Sequence, residues 1–255
     1  MALIQIDHVP ETVKVNLPLN IIIPDPGYMK EIPVRDRKVL YLLHGLSDDA
    51  SAWQRYSSIE TYAAHYGLVV VMPSVGRSFY INQPNGQDYF SYLTEELPQF
   101  LSDVFHLNPT RENTAIAGNS MGGYGAFRAA FAYPQRFCAA ASFSGFLSLA
   151  FLQANPDDPR IPEFAYLFGD LHKLMGSELD PTTWFKKASQ NPVDLPRLFL
   201  SCGQKDDLYI LNRMVFSLMQ QMKIPVEYHE EDAKHDWYFW DREIQRFLAE
   251  IWEKS

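Results

Sequence analysis

The stretch NTAIAGNSMGG, residues 113–123, runs from a short apolar segment into a turn that contains the pattern G-x-S-x-G. A helical pattern follows directly, at residues 121–132. Between a strand and a helix, the serine of this pattern occupies a sharp, strained turn that exposes its hydroxyl above the sheet. Glycine fits two residues before and after the serine because side chains there would collide with neighbouring elements. The stretch therefore predicts a nucleophile elbow with Ser120 as the nucleophile.

Apolar runs elsewhere in the chain predict the sheet that surrounds this elbow. Residues 39–43 and 68–72 are short and almost continuously apolar, which is typical of parallel strands buried on both faces. Helical patterns alternate with these runs, and the alternation predicts an α/β layer fold with a mostly parallel sheet. The other predicted elements are strands at 137–143, 197–202 and 225–229, and helices at 57–66, 89–105, about 208–222 and 236–252.

The N-terminal part has a different pattern. Residues 11–23 carry apolar side chains at alternate positions, which predicts one strand with a single buried face, antiparallel and near an edge of the sheet. Pro18 also argues against a central strand. The first seven residues lack the basic start and the long apolar segment of a signal peptide, so they are interpreted as another strand instead.

The length of 255 residues suits one domain spanning residues 1–255. The strand–helix alternation breaks between about residues 146 and 191, a segment that contains four prolines, Pro156, Pro159, Pro162 and Pro181. This segment is interpreted as a small cap-like insertion over the sheet that shapes the substrate pocket.

A serine hydroxyl needs a base and an acid partner to become a nucleophile. In folds with this elbow the chain order is serine, then acid, then histidine. His235 follows the last predicted strand, whereas His172 lies in the insertion and His229 lies inside a strand. His235 is therefore the predicted general base. The acid should follow the strand at 197–202, where the residues' chemistry alone leaves Asp206 and Asp207 as alternatives.

An oxyanion hole requires two backbone donors. One is the N–H of Met121, directly after the nucleophile, and the other comes from the loop after an earlier strand, for which Leu46 is the candidate. Gly45 allows close approach of the backbone there and is expected to line the substrate pocket, and His44 is expected to brace the loop by hydrogen bonding. Trp53 either lines the acyl pocket or packs in the core.

Composition excludes several classes of partner. The formal charge of −9 disfavours nucleic acid and anionic membranes, and no apolar run approaches the length of about 18 residues that spans a bilayer. Neither metal-ligand spacing nor a phosphate-binding loop occurs, so no metal and no organic cofactor is expected. The two cysteines are expected to be buried free thiols. A cytoplasmic location is expected, and a homo-oligomer is a reasonable expectation for such a chain.

Four motifs together resemble a known family: YLLHG at 41–45, GNSMGGYGA at 118–126, SFSG at 142–145 and HDWYFW at 235–240. They resemble the esterase D family of α/β-hydrolases, and are most similar to the bacterial tributyrin esterases, over nearly the whole chain and in the same order. The resemblance implies the α/β-hydrolase fold and a Ser120–Asp206–His235 triad. It favours Asp206 because CGQKD at 202–206 matches the family's Cys-Gly-x-x-Asp pattern, although Asp207 stands where the family often has an aromatic residue.

The function that the resemblance implies is that of a serine carboxylesterase acting on short-chain acyl esters through an acyl-enzyme. The alternatives within the same family are a thioesterase of the S-formylglutathione hydrolase type and a feruloyl or acetyl esterase acting on carbohydrate esters. The expected partner is therefore a small-molecule acyl ester.

Overall fold

The computed structural model describes residues 1–25, 32–190 and 194–253. Eight strands form one sheet in the order β1-β2-β4-β3-β5-β6-β7-β8. The strands are β1 Ala2–His8, β2 Leu17–Ile23, β3 Lys38–Leu43, β4 Leu68–Pro73, β5 Thr114–Asn119, β6 Ala139–Phe143, β7 Arg197–Gly203 and β8 Glu227–Glu231.

The sheet is mixed. β2 pairs antiparallel with both β1 and β4, while the pairs from β4 through β3, β5, β6 and β7 to β8 are all parallel. Since parallel strands end at the same edge, the loops after β5, β7 and β8 share one edge of the sheet. The predicted α/β-hydrolase fold and the antiparallel N-terminal strand near the edge are both confirmed.

One predicted strand begins later than the sequence pattern indicated. Residues 11–16 form turns and bends, and β2 starts at Leu17. The backbone N–H groups of Glu11 and Thr12 donate to the Glu96 carboxylate at 2.6 and 2.9 Å, and Lys14 adopts a left-handed φ of 59°. These side-chain bonds replace the ladder bonds that a strand would need, so the alternation before Leu17 was misleading.

Helices cover both faces of the sheet. They are α1 Ala52–Tyr56, α2 Ile59–Tyr66, α3 Tyr89–Ser91, α4 Leu97–Phe105, α5 Met121–Ala132, α6 Ala150–Ala154, α7 Ile161–Phe168, α8 Pro181–Gln190, α9 Tyr209–Gln221 and α10 Trp237–Trp252. A π-helical turn, Tyr92–Glu96, joins α3 to α4. Short 3-10 turns occur at Val34–Asp36, Arg111–Asn113, Pro134–Arg136 and Leu171–Lys173.

The parallel strands supply two cores, one on each face. Along β3, Tyr41 packs in the core under α4 and α5, whereas its neighbours Leu40 and Leu42 pack in the core under α1, α2 and α10. Both sets are buried, which explains why these strands are continuously apolar in sequence.

The segment between β6 and β7 contains α6, α7 and α8 and the 3-10 turn Leu171–Lys173. The last residue of the predicted insertion, Asn191, lies outside the described residues. Within residues 1–25, 32–190 and 194–253, every helix falls short of the length and apolar character that crossing a bilayer requires.

Candidate active site

Ser120 occupies the turn between β5 and α5. Its backbone has φ 53° and ψ −115°, a left-handed conformation that is strained for a residue with a side chain. Its N–H donates to the Phe143 carbonyl at 2.9 Å, and its carbonyl accepts from the N–H groups of Tyr124 at 3.2 Å and Phe146 at 3.3 Å. These bonds to the neighbouring strand, to α5 and to the loop after β6 hold the strained turn in place.

The glycines of the turn are required by close contacts, mostly with backbone atoms. A Cβ on Gly118 would lie 2.5 Å from the backbone of Gly122, and a Cβ on Gly122 would lie 2.4 Å from the Leu43 carbonyl oxygen. A Cβ on Gly123 would lie 2.5 Å from the Ser142 hydroxyl oxygen. The collisions expected from sequence are therefore present, and they arise from the close packing of α5 against β3 and β6.

His235 and Asp206 lie in contact at the carboxyl edge of the sheet, after β8 and β7. Nδ1 of His235 is 2.8 Å from Oδ2 of Asp206. Because a carboxylate only accepts, Nδ1 carries the proton and Nε2 is the basic nitrogen of the neutral ring. Asp207, the alternative acid, is exposed to solvent.

The Asp206 carboxylate is buried, with 6% of the residue exposed. Its Oδ1 accepts from the N–H of Leu208 at 2.7 Å. Burial by itself raises the pKa of Asp206, but the hydrogen bonds from His235, Ser144 and Leu208 outweigh it and hold the pKa below its usual value. Asp206 is therefore an ionised acceptor at neutral pH.

Trp240 supports His235 from the buried side. The two rings are 4.9 Å apart between centroids at an interplanar angle of 89°, and the indole Nε1–H donates to the Ser144 hydroxyl at 3.2 Å. Sequence reasoning did not assign a role to Trp240 or Ser144. The available signal was helical spacing, because Trp240 lies three residues after Trp237 and on the same inward side of α10.

The two predicted oxyanion donors flank the turn. Met121 is the first residue of α5, and Leu46 lies in the loop after β3. Among the described residues, the N–H groups of Leu46 and Met121 make no backbone hydrogen bond in a turn, loop or helix cap. The N–H of Met121 also stands at a helix N-terminus, where the dipole favours negative charge.

His44 braces the loop that carries Leu46. The N–H of Val75 donates to its Nε2 at 3.1 Å, so Nδ1 carries the proton and donates to the Gly45 carbonyl at 2.7 Å. Burial lowers the pKa of His44 to about 4, although the bond to the Gly45 carbonyl acts in the opposite direction. His44 is thus a neutral structural residue in the predicted bracing position.

Two other residues of this loop region bear on the site, Trp53 and Asp48. Trp53, offered as a pocket residue or a core residue, is 1% exposed and donates from Nε1 to the Leu43 carbonyl at 3.0 Å, which places it in the core. Asp48 was not singled out. Burial raises its pKa, and His235 is close enough for its charge to lower that pKa in part.

The backbone of Gly45 approaches other groups closely. A Cβ there would lie 3.0 Å from the Asn119 amide nitrogen and 3.2 Å from an Asp48 carboxylate oxygen. Gly45 therefore allows the loop to lie against the end of β5, next to Ser120.

The remaining histidine candidates have other partners. Nδ1 of His229 lies 2.8 Å from Oε1 of Glu243, a buried carboxylate on α10. His172 is exposed, and its backbone N–H donates to Asp170 at 3.0 Å.

Neither thiol is activated. Burial raises the pKa of both Cys138 and Cys202, and both are unpaired. In the part of the chain that the structure describes, no group of three or more His, Cys, Asp or Glu residues is arranged to hold a metal ion.

The segment between β6 and β7 contacts α5 and the loop after β4. Arg77, after β4, pairs with Glu163 of α7, with Nη2 2.7 Å from Oε2. The Tyr124 hydroxyl donates to the Leu179 carbonyl at 2.7 Å. Buried aromatic rings fill the space between, among them Phe79, Phe146, Phe164 and Phe168.

Comparison with known proteins places the chain in a family. The Esterase family model matches residues 12–251. An acetyl esterase of Caldicellulosiruptor saccharolyticus is 32% identical over 254 residues, covering 96% of each chain.

Two solved structures share the whole architecture. The fluorophosphonate-binding serine hydrolase FphF of Staphylococcus aureus has a TM-score of 0.88 and 31% identity, covering 98% of each chain. The S-formylglutathione hydrolase FrmB of the same organism has a TM-score of 0.87 and 30% identity, again covering 98% of each chain. The chain therefore belongs to the Esterase family and is a carboxylic ester hydrolase with the α/β-hydrolase fold.

Proposed function

We propose that the protein is a serine carboxylesterase that hydrolyses short-chain acyl esters through an acyl-enzyme on Ser120. The observation that carries the proposal is the pairing of His235 with the buried Asp206 at the sheet edge where the strained Ser120 turn also lies. Asp206 fixes the Nδ1–H tautomer, so Nε2 of His235 is available to take the serine proton.

In the proposed reaction, Ser120 Oγ attacks the ester carbonyl while His235 removes its proton. The N–H groups of Leu46 and Met121 hold the oxyanion, a contribution of about 3 kcal/mol per donor. His235 then protonates the leaving alcohol, and a water molecule activated by the same imidazole releases the acid. Asp206 stays ionised throughout and stabilises the imidazolium.

A short acyl group is supported by two observations. The acetyl esterase relative covers almost the full chain. Bulky aromatic rings are buried beside the elbow: Phe146, whose N–H bonds to the Ser120 carbonyl, stacks on Phe164 with 5.8 Å between centroids. Such packing limits the room for a long chain on this side. The proposal also includes a relationship to the bacterial tributyrin esterases.

The similarity to the S-formylglutathione hydrolase favours a second candidate, a thioester substrate. The same residues would act on it in the same way, so only relative rates separate the two substrates. The 146–191 segment is proposed to shape this selectivity within a single domain. A cytoplasmic location and a homo-oligomer stay predictions.

The test compares wild type, Ser120→Ala and a surface control, Ser217→Ala on α9. The substrates are p-nitrophenyl acetate, butyrate, octanoate and laurate, tributyrin, methyl ferulate and S-formylglutathione. We expect a preference for acetate or butyrate, a loss of about 10⁴-fold or more in Ser120→Ala, and wild-type rates in the control.

A fluorophosphonate probe separates failure of the nucleophile from failure of the substrate assignment. Labelling of Ser120 in wild type but not in Ser120→Ala keeps the nucleophile even if no ester in the panel is turned over. Equal rates in wild type and Ser120→Ala, without labelling, refute the proposal. Faster turnover of S-formylglutathione than of every ester replaces the ester with the thioester.

A further inference from the structure

A cavity lies between α4 and α5, toward the amino ends of the strands and away from Ser120. Its volume is about 460 Å³, and Thr114, the first residue of β5, lines it. Of the β5 residues in its lining, Ile116 is nearest to Ser120, four residues before it, so at 3.3 Å per strand residue the two sites are roughly 13 Å apart. The cavity is therefore separate from the triad.

Tyr41 lines this cavity, and its hydroxyl is buried without a hydrogen-bond partner among the described residues. Only 3% of Tyr41 is exposed. Buried hydroxyls are nearly always bonded, so this group calls for an acceptor or donor from outside the chain. Burial raises the pKa of Tyr41, so the phenol stays protonated and is able to donate.

Arg136 supplies a positive charge to the same space. Its Nη1 donates to the Thr94 carbonyl, and its guanidinium lies over the Tyr133 ring, 4.3 Å from the centroid. Within the described ranges, no carboxylate lies at ion-pair distance from it. Thr94 belongs to the π-helical turn, and such turns occur frequently at functional sites. Arg136 and Tyr41 both line the cavity, and the charge of Arg136 lowers the pKa of Tyr41 in part, so the two groups are close to each other.

The walls of the cavity are partly polar and partly apolar, which suits a ligand with an apolar body and a polar end. Leu93, Ile116, Ala129 and Phe137 provide apolar surface that cannot bond water. The volume falls within the range of about 300–1,000 Å³ typical of small-molecule sites, which combine apolar walls with a few convergent polar groups.

We propose that this cavity binds a small monocarboxylate with an apolar body, whose carboxylate pairs with Arg136 and accepts a hydrogen bond from the Tyr41 hydroxyl. A carboxylate is planar and matches the fork of a guanidinium group. Glu95, exposed at the rim, disfavours a dianion such as phosphate. An acid released by ester hydrolysis belongs to this class, but the proposal does not depend on the reaction at Ser120.

The experiment uses the full-length enzyme with Ser120 blocked by a phosphonate, so that binding at the triad is removed. If Ser120 does not react, Ser120→Ala takes its place. Benzoate and butyrate are titrated calorimetrically into this protein, and benzylamine serves as a probe of the opposite charge. Tyr41→Phe and Arg136→Gln are compared with a control, Arg128→Gln, which removes another ring-stacked arginine that lines a different cavity.

We expect saturable binding of benzoate or butyrate, weakened about 10-fold or more in Tyr41→Phe and Arg136→Gln but not in Arg128→Gln. Tyr41→Phe is the more decisive variant because it removes a hydroxyl that has no hydrogen-bond partner among the described residues. The proposal is overturned if neither acid binds the blocked enzyme, if Tyr41→Phe binds as wild type does, or if only benzylamine binds.

Discussion

The turn around Ser120 and the insertion between β6 and β7 are held by different kinds of contact. In the turn, backbone lies directly against backbone, so that Gly122 has no room for a Cβ beside the Leu43 carbonyl. The insertion is held by side chains, including the Arg77–Glu163 ion pair and stacked aromatic rings. A site fixed by backbone tolerates little change, whereas one fixed by side chains is able to vary in shape.

The largest effect is expected for a substitution at the proposed active site around the Ser120 turn. In Asp206→Asn the side chain keeps its size but loses the charge that fixes the His235 tautomer, and we expect kcat to fall by about 10⁴-fold. Asp207→Asn, which changes the exposed neighbour, should stay within about two-fold because surface charges are screened. Equal losses in the two variants would reassign the acid.

A pair of glycine substitutions compares the two regions directly. Gly122→Ala places a Cβ 2.4 Å from the Leu43 carbonyl oxygen and should cost about 3 kcal/mol or more of unfolding free energy. Gly176→Ala in the insertion meets no atom within 4 Å and pays only for its φ of +80°, about 1 kcal/mol. Urea unfolding measures both, and similar costs would contradict the distinction.

His44 makes the elbow side sensitive to pH. Its pKa is about 4 in the folded chain and about 6.5 when unfolded, so between these values the unfolded state binds the additional proton. Its contribution is complete above about pH 6.5 and is lost as pH falls toward 4, a total of about 3 kcal/mol. Unfolding of wild type and His44→Asn from about pH 7 to 4 should give a shallower pH slope in the variant. Parallel slopes would mean that His44 is not buried as a neutral ring.

The smallest effect is expected at the ion pair between the loop after β4 and the insertion. Arg77 and Glu163 are partly exposed, with 49% and 31% of their side chains accessible. Glu163→Gln should therefore cost less than about 1 kcal/mol, and the difference from wild type should shrink in high salt. A larger loss that salt does not change would show that the pair is essential to the position of α7.

The parallel strands were predictable because burial on both faces leaves a continuous apolar run in the sequence. The start of α5 was predictable because Gly118 and Gly122 indicate a close backbone contact between residues that are near in sequence. Residues 11–16 were mispredicted, since their turn depends on Glu96, about 80 residues away in sequence. Similarly, the choice between Asp206 and Asp207 depends on the direction of the chain after Gly203, where the N–H of Asp206 donates to the Gly203 carbonyl at 3.1 Å. The cavity beside Tyr41 and Arg136 could not be predicted from the sequence, because it forms between elements that are distant along the chain and no local sequence pattern marks it.

The strand order also bears on how copies of this chain behave when concentrated. β8 is the last strand of the sheet and leaves one ladder of backbone groups unpaired at the edge. Its five residues include Glu227, Glu230 and Glu231, each paired with an arginine. Another chain could add to this edge only by stripping water from those ion pairs, and charged edges of this kind oppose aggregation. The strand that leads to the proposed catalytic histidine thus also helps to keep the sheet from growing into fibrils.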